Sequence, residues 1–240
     1  MEVYMAGDPL KEARAKAKYV LEVRYEPLMQ AFDRRGAVLE KLFPLFGTKA
    51  KHWRVQNVAV AFADDFDRPM RLLEVGHLSS RILYEDPGTY QEFIDDSLRF
   101  IGALGELFPQ GLLKVNRIGF RAMTVLKHKT ASSFEEVFRD IRKRFLSENL
   151  PLSLTFTDCS VILEQEHCRI LVGPVQKGEN WLETAFTRPE LKDLSFGIAL
   201  DVDSFNHEVE SADSRALIEI ARTLQQFSLT AEQETLRGMV

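Results

Sequence analysis

Six segments of periodic hydrophobicity before residue 130 limit what this chain can fold into more than any other feature of the sequence. Lys18 to Tyr25 alternates apolar with polar residues, and Pro27 to Phe46 repeats at helical spacing. Trp53 to Ala63 and Met70 to Tyr84 alternate again. Thr89 to Phe108 is helical in period, and Leu113 to Lys127 alternates. A period of two buries one face of a strand, whereas a recurrence at three and four buries one stripe of a helix. Every such surface needs a partner. The resulting order is β-α-β-β-α-β, that of a ferredoxin-like split βαβ unit in an α+β protein. The topology carries no chemistry of its own, since it serves many unrelated functions.

Local signals fill in this frame. Asp8-Pro9 opens a short polar helix running through Ala17. The first strand places Tyr19, Leu21, Val23 and Tyr25 on one face, and the last places Ile118, Phe120, Ala122, Thr124 and Leu126 there. A bulge near Gln56-Asn57 explains a change of face within the second strand, and Gly76 bends a long third strand. Thr89 and Glu92 form a capping box for the second long helix.

After His128 the order becomes α-β-β-β-β-α. Ser133 and Glu136 cap a helix. Strands follow at Leu152 to Thr157, Val161 to Glu166, Cys168 to Val175 and, after a polar loop containing Trp181, at Phe196 to Phe205. A helix with Leu217, Ile220, Leu224 and Phe227 precedes a separate short one capped by Thr230 and Gln233. This reading divides the chain into a ferredoxin-like unit over 1–130 and a second unit over 131–240, a small antiparallel sheet with flanking helices.

At Val115 to Leu126 (VNRIGFRAMTVL) and Leu229 to Gly238 (LTAEQETLRG) the chain resembles a sporadically distributed family of bacterial proteins of similar length and unknown function. Ala122 and Met123 depart from that family, which tends to carry an aromatic and a polar residue there. The resemblance implies a bacterial cytoplasmic protein and brings no activity, cofactor or catalytic residue. Cys159 and Cys168 lie on a hairpin about 20 Å apart at roughly 3.4 Å per residue. That is beyond disulfide reach and fits a reducing compartment. No apolar run approaches the roughly 18 residues of a membrane span, and the N-terminus has no secretory pattern.

No phosphate loop, dinucleotide fingerprint or nucleophile elbow is present in the sequence, so no cofactor is expected. Asp201 and Asp203 share one face of their strand, and two such carboxylates suit a hard divalent cation. A solvated strand face is the plainer account of them. Between Gly111 and Phe145 nine lysines and arginines face three acids, a local excess of +6 in a chain of net −5. Within that block Arg117 and Arg121 point away from the helices, and Arg24, His77 and Arg81 share their face if the strand order holds. A basic sheet face binds RNA or a phosphate ligand, but RNA-binding sheets of this topology also need stacking aromatics, and only Trp53 offers one.

The sequence therefore points first to a non-catalytic binding or regulatory protein whose partner is another protein or a small molecule. Nucleic-acid or phosphate-ligand binding through the basic sheet face is the alternative, followed by a divalent-metal-dependent enzyme. The sheet face without helices needs cover, either from the second half of the chain or from a second copy in a homodimer.

Overall fold

The first strand of the protein, β1 (Arg14–Tyr25), is paired along both edges and organises everything else. In this computed structural model, which describes residues 10–108, 113–146, 159–207, 209 and 213–240, it is followed by α1 (Gln30–Asp33) and α2 (Arg35–Phe46). Then come β2 (His52–Val55), β3 (Ala59–Ala63), β4 (Arg71–Gly76), β5 (Ser79–Glu85), α3 (Tyr90–Leu107) and β6 (Val115–Leu126). The remaining described residues form α4 (Phe134–Phe145), β7 (Val161–Gln165), β8 (Cys168–Gln176), α5 (Asn180–Ala185), β9 (Phe196–Asn206) and α6 (Ser214–Leu236). Among the described residues, all nine strands belong to one antiparallel sheet in the order β2-β3-β4-β5-β1-β6-β9-β8-β7.

The α+β class holds, but the second half does not build a small sheet of its own. β9 pairs with β6 from Ile118↔Asn206 to Leu126↔Ile198, so strands from both halves are continuous. The predicted strand at Leu152 to Thr157 lies outside the described residues. Each of the two long alternating runs is a hairpin rather than one strand: β2-β3 turns at Gln56–Val58 and β4-β5 at His77-Leu78. Neither turn contains the Asn-Gly or Asp-Gly pair that marks a tight hairpin, so in the sequence the first shows only as a change of face and the second only as Gly76. The expected bulge and bend are therefore turns, and the order through β6 is β-α-α-β-β-β-β-α-β.

Three further expectations change. Of the expected polar helix, Arg14 to Ala17 is strand and Leu10 to Ala13 a turn, because β6 offers a partner as far as Leu126, opposite Arg14; Asp8 and Pro9 lie outside the described residues. The first long helix breaks at Arg34 (φ −97°, ψ 17°), whose guanidinium donates to the Leu107 carbonyl at 2.6 Å. Thr230 caps nothing. It lies inside the continuous α6 and donates its hydroxyl to the Gln226 carbonyl at 3.1 Å. The helix continues because Ala231, Glu232, Thr235 and Leu236 prolong the buried stripe of Leu217, Ala221 and Leu224.

The inward parity of β1 and β6 is as the sequence predicts. Tyr19, Leu21, Val23, Ile118, Phe120 and Ala122 are buried beneath α2, α3 and α6. Farther along the sheet, Leu126, Leu200 and Val202 are buried with Val137 and Ile141 of α4. The helices α2, α3, α4 and α6 thus cover one face. Thr89 caps α3 by accepting from the Glu92 amide at 3.0 Å, and Ser133 caps α4 in the same way. No helix among the described residues is long and apolar enough to cross a membrane.

Phe120 is fully buried and packs against the rings of Tyr19, Tyr90 and Phe93 with centroids at 6.2, 6.3 and 5.9 Å. Phe120→Ala should cost about 3–5 kcal/mol in urea denaturation. The two threonines supply a second test. Thr89→Ala should cost about 1 kcal/mol as a lost cap, whereas Thr230→Ala should change stability by less than about 0.5 kcal/mol.

Candidate functional site

The second face of the sheet carries the other parity of the same strands. On β1 it presents Lys18, Val20, Glu22 and Arg24. Antiparallel register sets Arg121 across from Val20, Gly119 across from Glu22 and Arg117 across from Arg24. On the other side Arg81 lies opposite Glu22 and Leu83 opposite Val20. β9 adds Asp203 opposite Arg121 and Asp201 opposite Met123, and β8 adds Arg169 opposite Asp203.

One end of this face is covered by the chain itself. Leu182, Ala185 and Phe186 pack with Leu191 on Met123, Val125, Val175 and Ala199, and Trp181 meets Phe186 edge-on at 5.7 Å. Polar ties hold this segment down. The buried Glu85 carboxylate accepts from the Thr187 amide at 2.7 Å and the Arg188 amide at 2.9 Å, with the Lys16 ammonium at 3.4 Å. Lys18 donates to the Ala185 carbonyl at 2.8 Å. The uncovered remainder of the face is a cavity of about 910 Å³. The face expected to seek a partner is thus partly covered by intrachain packing.

Six cations line this cavity: Lys18, Arg24, Arg81, Arg117, Arg121 and Arg169. Three carboxylates, Glu22, Asp201 and Asp203, stand among them. Arg121 makes a bidentate contact to Asp201, with Nε at 2.8 Å and Nη2 at 2.6 Å. Arg117 lies 3.5 Å from both Asp203 and Glu22, with its guanidinium 5.1 Å from the Phe205 ring centroid. Gly119 makes that pose available, because a Cβ there would stand 3.1 Å from the Arg117 Nη1. Arg117 is consequently 15% exposed and fixed, whereas Arg121 is 51% exposed and more open to a ligand.

The titration of the site reflects this crowding. Burial lowers the Lys18 pKa below the usual lysine value, Glu85 partly opposes it, and Arg121, Arg81 and Lys16 lower it further. A cation in this position gains from an incoming anion. Burial raises the Asp203 pKa, against the pull of Arg117 and Arg121.

Of the residues singled out by the sequence, Arg24, Arg81, Arg117, Arg121, Asp201 and Asp203 meet in this cavity. His77 does not line it. It sits in the β4-β5 turn with its ring 5.3 Å from that of Phe32. Asp201 and Asp203 are engaged by arginines, and among the described residues no group of three or more His, Cys, Asp or Glu side chains is placed to hold a metal ion. Lys18, Arg169, Phe205 and Trp181 were not singled out by the sequence. Parity along β1 could have found Lys18, but nothing local places α5 over the sheet. Trp53, the one ring expected to serve the face, is exposed on the edge strand β2.

No protein-family model and no curated protein matches the chain. Among solved structures it is similar to the duplicated taurocyamine kinase from Schistosoma mansoni, determined with bound transition-state-analogue components, at a TM-score of 0.38 and 10% identity. That match covers 99% of this chain and 36% of the other, so the chain spans about a third of its length. A likeness at this level carries no argument about function.

Both cysteines are buried, and neither is in a disulfide. Burial, with a smaller effect from Asp203, pushes the Cys168 thiol up to about 11. The unfolded thiol ionises near pH 8.5, so between that pH and about 11 the folded state holds the extra proton. Stability should therefore fall as pH rises through this window. Cys168→Ala should flatten that fall in urea titrations at pH 8 to 10.

Proposed function

We propose that this is a binding or regulatory protein that holds a small phosphate-bearing ligand in the cavity on the second face of its sheet. The observation that carries this reading is the convergence of six cations on one cavity against three carboxylates, in a chain whose net charge is −5. Cations gathered against the overall charge concentrate an anion locally. The carboxylates hold the guanidinium groups in place, and a guanidinium has five N–H donors, more than one carboxylate consumes.

A small ligand is favoured over a nucleic-acid strand. The volume falls within the range of small-molecule sites, and α5 with the chain after it walls one end. A polymer would need an open track with repeated stacking platforms.

Two finer expectations belong to the same proposal. The antiparallel run β4-β5-β1-β6 supports a split βαβ core, extended by the β2-β3 hairpin at one side and by β9-β8-β7 at the other. Two buried thiols outside any disulfide support a cytoplasmic setting.

Calorimetric titration with inorganic triphosphate at low salt should show saturable binding that weakens as salt is added. Arg117→Gln with Arg121→Gln should weaken it by roughly tenfold or more, the worth of charge-assisted hydrogen bonds. Gly119→Ala keeps both arginines but displaces the Arg117 guanidinium, so it should weaken binding while leaving the fold intact. Absence of binding to the unmodified protein at low salt would remove the proposal.

A further inference from the structure

The cavity floor changes character along the strands. At the Arg24, Arg81 and Arg117 end it is charged. At the end beneath α5 it is largely apolar: Val20, Leu83, Met123 and Leu171, with Trp181 and Ala185 as the wall. Register makes this floor continuous, since Val20 pairs with Leu83, Met123 faces Asp201, and Leu171 also faces Asp201. Lys18 stands opposite Met123 within the apolar end and Arg121 opposite Val20 at its inner margin, with Asp201 and the Thr184 side chain also at the apolar end.

From this division we infer that the ligand is a nucleotide, with its base against Trp181 and its phosphates toward Arg121, Arg117 and Arg81. The inference rests on the anion-binding reading of the same cavity. An inorganic phosphate would leave the apolar end empty. From Val20 to Arg24 the strand advances about 13 Å at roughly 3.3 Å per residue, so a ligand that uses both ends must be elongated, as a nucleoside di- or triphosphate is. The apolar end also favours a heteroaromatic ring over an alkyl chain. An indole offers a stacking face to any base. Asp201 and the Thr184 hydroxyl, whose own proton goes to the Trp181 carbonyl, can accept from ring N–H groups, and an alkyl chain would leave them unmatched. The Trp181 ring is steadied by Phe186, so the platform exists before a ligand arrives.

The chain has two tryptophans, so Trp53→Phe leaves Trp181 as the only indole reporter. That variant is titrated with each of the four ribonucleoside triphosphates and with inorganic triphosphate. At least one nucleotide should quench the Trp181 emission and bind about tenfold or more tighter than inorganic triphosphate, as stacking on an aromatic platform implies. In calorimetry, Trp181→Leu should remove that advantage, whereas Trp181→Phe should keep most of it. Circular dichroism of both variants confirms that they are folded. If inorganic triphosphate binds as tightly as every nucleotide, the nucleotide inference falls and the anion reading stands. Tighter binding of octyl phosphate than of any nucleotide also overturns it, in favour of an alkyl ligand. If neither nucleotides nor inorganic triphosphate bind, both readings fall together.

Discussion

The double pairing of β1 is the constraint on which the rest of the protein depends. Its register with β5 on one side and β6 on the other fixes which side chains point each way. A slip of one residue would exchange the two faces completely. In the observed register Tyr19, Leu21, Val23 and Tyr25 enter the helical core, while Lys18, Val20, Glu22 and Arg24 line the cavity. Core and candidate site are thus the two sides of one strand. The register is held from the core side, because moving four large buried side chains into the cavity would cost far more than any gain among the charges.

That dependence accounts for how so charged a surface is tolerated. Cations on adjacent strands repel one another, and burial makes the repulsion worse. The sheet relieves it by interleaving carboxylates: Glu22 serves Arg24 and Arg117, Glu74 serves Arg81, Asp201 serves Arg121, and Glu164 serves Arg169. The relief is incomplete at Asp203, where burial outweighs two nearby arginines and raises the carboxyl pKa. Most of these pairs are partly exposed and contribute little to stability. Their larger effect is positional, since they hold long side chains toward one volume.

The sequence exposes the parts of this arrangement that depend on parity. The inward set of β1 and β6, the outward direction of Arg117 and Arg121, the two aspartates of β9 and the caps at Thr89 and Ser133 all follow from short-range spacing. What spacing cannot give is register between distant strands. Nothing near Ile118 indicates that Asn206 lies beside it, so β6 appeared to end one sheet when it is an interior strand of a larger one. The hairpin turns at Gln56–Val58 and His77-Leu78 were legible only as a bulge and a bend, because neither carries the Asn-Gly or Asp-Gly pair of a tight turn. Thr230 misled in the opposite direction. T-x-x-Q spacing marks a helix start only where the chain before it is not helical, and here the buried stripe of α6 runs straight through. Trp181 was legible only as a ring in a polar loop, because its place above the sheet depends on the contacts of Glu85 with Thr187 and Arg188.

The carboxylates also direct where an incoming anion gains most. Arg121 spends Nε and Nη2 on Asp201 and leaves Nη1 outside that contact, so an anion can bind without breaking the pair. Arg117 is held by two acids and a ring and has less to offer. Lys18 differs from the other five cavity cations: among the described residues it has no carboxylate within salt-bridge distance, and its ammonium donates to the Ala185 carbonyl of α5. An anion between Lys18 and Arg121 would supply the missing charge at the junction of the sheet and α5. It would thereby join the ligand to the segment that carries Trp181. Such an anion would couple the two ends of the cavity, because Lys18 stands opposite Met123 at the apolar end and Arg121 opposite Val20, two residues nearer the charged one.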